Sequence, residues 1–111
     1  MIEVRISEAA ALSIIEQAEH YRSALDNVLA ERWESAVDAT IQSLLQFPRR
    51  GALCRFLTPK LASIRWIFVP NFEKHMIFYR YDRQENSLLV VQVLHGSRDL
   101  KSLLNDDPAQ M

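Results

Sequence analysis

RWIFVPNFEKHMIFYRYDRQENSLLVVQVLHGSRDL, residues 65–100, decides how this chain folds. Three segments in and beside it, 64–69, 75–81 and 88–95, are rich in Ile, Val, Phe, Tyr or Trp and read as strands. Pro70–Asn71 separates the first from the second, and residues 82–87 separate the second from the third. Connections of about five or six residues are too short for a parallel crossover, so the spacing predicts an antiparallel meander. The third segment, LLVVQVLH, is apolar at both parities, as a central strand covered on both faces requires. Gly96 then offers a flexible corner, and Ser97 an N-cap for a short helix over 98–104.

Upstream of the meander the pattern is helical. Ile2, Val4 and Ile6 alternate with Glu3 and Arg5, a short strand with one buried face. Ser7 caps a helix whose apolar positions, Ala11, Ile14, Ala18, Tyr21 and Leu25, step by three or four residues. Asp26 provides a second cap. Leu29, Trp33, Ala36, Val37, Thr40, Ile41, Leu44 and Leu45 mark the inner face of a longer helix that Pro48 ends. Two amphipathic helices so closely linked form an antiparallel hairpin, and each must bury its stripe against the sheet. The expected fold is α+β: an amino-terminal strand at the edge of segment 88–95, a helical hairpin, a three-stranded meander and a short carboxy-terminal helix. Residues 51–63 give little signal beyond a turn at Thr58–Pro59.

The 111 residues suit one domain, with a core over about 2–104 and a frayed tail over 105–111. No segment approaches the roughly 18 apolar residues of a membrane span, and the amino terminus lacks a signal-peptide pattern. The single cysteine, Cys54, excludes an internal disulfide and a cysteine-built zinc site, and fits a reducing cytoplasm. A net charge of −1 conceals a division. Residues 1–48 hold three basic and eight acidic side chains, whereas residues 49–101 hold ten basic and four acidic ones. The sheet layer is thus basic, either by chance or because it meets an acidic partner such as a protein tail or nucleic acid.

Most catalytic chemistries find no support. His20, His75 and His95 share no metal-ligand spacing, and two glycines are too few for a phosphate-binding loop. The serines show no nucleophile elbow. An isolated Cys54 is more often inert packing than a reactive thiol. Metal-free RNA cleavage needs a base, an acid and cations beside the phosphate. His75, Tyr79, Tyr81, His95, Arg65, Arg80 and Arg98 form the pool. Strand parity divides it: His75, Ile77, Tyr79 and Tyr81 face one way, while Met76, Phe78 and Arg80 face the other.

Three motifs carry a family resemblance. Phe78-Tyr79-Arg80-Tyr81, Val93-Leu94-His95-Gly96-Ser97-Arg98-Asp99-Leu100 and the turn Pro48-Arg49-Arg50-Gly51 resemble the ParE branch of the RelE/ParE toxin superfamily. Gln92 stands where that branch commonly has Arg, and Ser97 where it commonly has Ala. The resemblance spans about residues 2–104. It implies a cytoplasmic toxin of a type II toxin–antitoxin module, associated with plasmid stabilization. It also implies inhibition of growth by poisoning DNA gyrase, with no active site and no cofactor. A ParD-like antitoxin would wrap the toxin and contact operator DNA through its own amino-terminal part.

The alternatives are a RelE-type ribosome-dependent mRNA endonuclease, and a toxin-fold domain without toxicity. Met76, Leu103 and Leu104 stand where the nuclease branch tends to carry catalytic side chains, and Arg98 alone matches a basic position of that site. The candidate target contacts are Arg98, His95, Tyr79 and Arg80. The candidate antitoxin contacts are Arg49, Arg50, Arg55, Lys60, Arg65 and Trp66.

Overall fold

A computed structural model describes residues 2–54 and 63–96. In chain order the elements are β1 (Glu3–Ile6), α1 (Glu8–Ser23), α2 (Asn27–Gln46), β2 (Ala52–Leu53), β3 (Arg65–Val69), β4 (Phe72–Asp82) and β5 (Ser87–His95). They form an α+β fold in which the strands make one sheet of order β1-β5-β4-β3-β2. The meander β3–β4–β5 is antiparallel, and β1 adds in parallel at the edge of β5 with Val4 opposite Leu88. The expected carboxy-terminal helix and the Thr58–Pro59 turn lie outside the described residues.

The helices begin where their caps place them. The Ser7 hydroxyl accepts a hydrogen bond from the Ala10 N–H, and the Asp26 carboxylate accepts one from the Leu29 N–H. Ser7 also donates to the Val91 carbonyl, tying the start of α1 to β5. The hairpin lies across one face of the sheet. There Ala10, Ala18, Trp33, Val37, Ile41 and Leu44 close over Val69, Ile77, Tyr79, Leu88, Val90 and Val93. Trp33 is fully buried, and its indole N–H donates to the Ile14 carbonyl, so one side chain fills the core and locks the two helices together.

Several details depart from simple periodicity. Leu25 is 92% exposed at a φ of 60°, because α1 ends at Ser23 and the chain reverses through Leu25 before Asp26 caps α2. Ile6, expected inside, is exposed at the end of β1, while Ile2 and Val4 pack on the core. β4 starts at Phe72, so only Pro70 and Asn71 link β3 to β4, with Asn71 supplying the positive φ of a tight turn. β2, just two residues long, has no periodic signature.

The largest departure is in β5. Phe78 pairs with Gln92 and Tyr79 with Val90, so Val91 is an extra residue and the strand bulges there. Strict alternation would separate Val93 from Leu88 and Val90. The bulge restores Val93 to the helix-facing core and puts Val91 and Leu94 on the other face with Cys54, Ile64, Met76 and Phe78. Both parities of LLVVQVLH are therefore used, with a register change in the middle.

Candidate protein-interaction site

The site grows from the turn that follows α2. Phe47 caps the helix and Pro48 prevents its continuation, so Pro48, Arg49, Arg50 and Gly51 carry the chain out to β2. Cations in this position are favoured by the negative end of the helix dipole. Two side chains from the sheet then fix the turn. The Tyr79 hydroxyl, fully buried, donates to the Pro48 carbonyl and accepts from the Gly51 N–H, both at 2.8 Å. The Arg65 guanidinium donates to the carbonyls of Arg49 and Gly51, at 3.1 and 2.8 Å. Gly51 is required by close approach. A Cβ there would sit 2.7 Å from the Tyr79 hydroxyl and 2.8 Å from the Trp66 carbonyl.

The electrostatics of Tyr79 follow from this arrangement. Burial pushes its phenol above the ordinary value, and the Gly51 hydrogen bond with the nearby charges of Arg65 and Arg50 pulls partly back. At neutral pH the hydroxyl keeps the proton that it donates to Pro48. Tyr79 and Arg65 therefore serve as posts for a rigid turn.

With the turn held, Arg49 and Arg50 project into solvent. Opposite them the β4–β5 turn brings Arg83, and β4 brings the half-buried Tyr81. An open cleft of about 600 Å³ lies between, floored by Phe47, Pro48 and Tyr81 and edged by the three arginines. Phe47 is 64% exposed, an unusual position for a large aromatic.

The antitoxin-contact candidates thus divide. Arg49, Arg50 and Arg65 gather at this turn, Arg65 with its guanidinium engaged by backbone. Trp66, their neighbour in sequence, points to the opposite face, where it packs edge-on against Phe68 with ring centroids 4.9 Å apart. Arg55 and Lys60 lie outside the described residues. Sequence reasoning missed Phe47 and Arg83, and weighed Tyr81 only for RNA cleavage. The signal for Phe47 was present, an aromatic directly before the proline that ends a helix, but Arg83 joins the site through the β4–β5 turn alone.

A protein-family model described as ParE toxin of type II toxin-antitoxin system, parDE, matches residues 4–100. The chain belongs to the ParE toxin family. Among solved structures, a chain of the "Chromosomal ParDE TA system from P. aeruginosa" superposes with a TM-score of 0.67. The match covers 86% of this chain and 96% of that one, at 13% identity, and shows a shared fold. No curated protein matches the sequence.

Among the described residues of this ParE chain, the remaining candidates Arg80 and His95 do not meet at one point. Arg80 is exposed on the face away from the helices, as parity requires, beside Arg5 and Asp82. His95 lies on the helix side, with its ring centroid 5.1 Å from that of His75, which in turn is 4.6 Å from Trp33. These two histidines, His20 and Glu16 line a polar cavity of about 220 Å³ in whose lining, among the described residues, no arginine or lysine takes part. Arg98, Leu103 and Leu104 lie outside the described residues. Met76 is buried in the outer cluster with Phe78. Among the described residues, no group of three or more His, Cys, Asp or Glu is arranged to hold a metal ion, and no helix is long and apolar enough to cross a membrane.

Proposed function

We propose that this ParE-family chain is a cytoplasmic growth inhibitor that binds and poisons DNA gyrase without chemistry of its own. A ParD-like antitoxin neutralises it, and operator DNA is contacted only through that antitoxin. Residues 1–111 act as a single toxin domain. One observation supports binding over catalysis most strongly: the phenol of Tyr79 is consumed in holding the Pro48–Gly51 turn, while Arg80 lies on the other face. An acid or base and a phosphate-binding cation each contribute orders of magnitude to RNA cleavage, and they must converge on one phosphate. Arg98 and His95 remain the candidate gyrase contacts on the strength of the family motif, with Arg80 on the outer face. The basic turn at Arg49 and Arg50 suits an acidic antitoxin segment.

Expression of the chain without an antitoxin is the test. Growth should stop with induction of the DNA-damage response, and primer extension on translated mRNA should show no new ends. Codon-dependent cuts that appear only in the presence of ribosomes would replace this reading with the RelE-type endonuclease.

A further inference from the structure

The cleft at the end of α2 combines two features that rarely stay uncovered together. Its floor is apolar and includes the exposed ring of Phe47. Its edge holds three guanidiniums, and among the described residues none of Arg49, Arg50 and Arg83 forms an ion pair. Asp82, adjacent to Arg83 in the sequence, directs one carboxylate oxygen to the N–H groups of Gln84 and Glu85. Arg50 donates one hydrogen bond to the Ser43 hydroxyl, which orients it along the cleft edge. The walls are fixed in advance by Tyr79 and Arg65, so little ordering cost remains when something docks.

We propose that this cleft is a peptide-docking site which receives an aromatic or large aliphatic side chain flanked by carboxylates, presented by an acidic protein segment. The apolar anchor covers Phe47, Pro48 and Tyr81, and the carboxylates pair with Arg49, Arg50 and Arg83 in the bidentate geometry that guanidinium favours. Charge complementarity selects a peptide over a nucleic acid. A surface that follows a phosphate backbone needs a long basic stripe, whereas this chain has a net charge of −1 and an acidic helical layer. Three cations around one apolar floor match a few carboxylates around one side chain. The inference rests on the reading that an acidic protein partner exists, and it assigns that partner's anchor to one place.

A fluorescein-labelled acidic dodecapeptide carrying one Leu and one Trp among Asp and Glu is the probe, titrated by fluorescence anisotropy against the intact chain. The same peptide with Ser in place of Leu and Trp, and an oligothymidylate of matched charge, serve as competitors. The acidic peptide should bind, and Arg49→Glu with Arg83→Glu should weaken it by at least about tenfold. Phe47→Ser, and the Ser-substituted peptide, should each cost about tenfold as well. Thermal melts check that the variants remain folded. If the double variant melts early, Arg83→Glu alone, in the exposed β4–β5 turn, carries the test. Absent binding, equal affinity for the variants, or displacement of the peptide by an equal concentration of oligothymidylate would each overturn the proposal, the last by giving the cleft to nucleic acid. None of these results touches growth arrest or gyrase, so failure of the cleft stays distinct from failure of the functional reading.

Discussion

Tyr79 illustrates how far a single residue can be read before its neighbours are known. Strand parity separated its ring, with Ile77, from Met76, Phe78 and Arg80, and the two core clusters divide the same way. It could not reveal that the hydroxyl meets a turn 28 residues away along the chain. As a candidate target contact it is displaced by burial, because a side chain with no exposed surface presents nothing to a partner. Its contribution is indirect, through the arginines that the turn carries. Replacing Tyr79 with Phe keeps the ring and leaves the Gly51 N–H and the Pro48 carbonyl without this partner. The loss should be about 1–3 kcal/mol in denaturant unfolding. The alkaline limb should change too. The folded-state pKa is raised above the ordinary 10.0, so the stability tied to the neutral phenol is full below about pH 10 and is lost as pH rises through the raised value. Thermal melts of wild type should therefore fall more steeply above pH 10 than those of Tyr79→Phe.

At the scale of elements, legibility follows the range of the forces involved. The caps at Ser7 and Asp26, the inner face of α2 and the end at Pro48 are local, and each is visible in a few consecutive residues. The β5 bulge is not, because it arises from matching Val90, Gln92 and Val93 to a partner strand and a helical layer at once. β2 is missed for a similar reason, since two residues become a strand only through pairing with Arg65 and Trp66. Leu25 marks the limit of helical periodicity. It fits the spacing of the α1 stripe, yet it occupies the reversal between the helices in a left-handed conformation that costs a branched residue about 1–2 kcal/mol. Because its side chain is almost wholly in solvent, Leu25→Gly removes strain without removing packing. Part of that gain is offset by the entropy of glycine, so the net effect should be a stabilisation of about 0.5–1 kcal/mol. A rise in the urea midpoint at unchanged slope is the expected result, and a fall would mean that the leucine packs in the native hairpin.

For the molecule as a whole, the proposed function makes the sheet and hairpin a scaffold whose surfaces do the binding. The charge division seen in the sequence becomes spatial at the turn after α2, where Arg49, Arg50 and Arg83 face one cleft while Arg80 is directed elsewhere. The candidate target contacts His95, Tyr79 and Arg80 occupy three different environments: a polar cavity, the core and the outer face. Their dispersal is hard to reconcile with a reaction centre built from them and compatible with a binding protein, whose contacts need only share a surface with a partner. The most direct measurement is ATP-dependent supercoiling of relaxed plasmid by purified gyrase in the presence of increasing amounts of this chain. Under the gyrase-poisoning proposal, supercoiling falls and linear plasmid accumulates as the chain is added. Full supercoiling at a large excess of folded chain would contradict it.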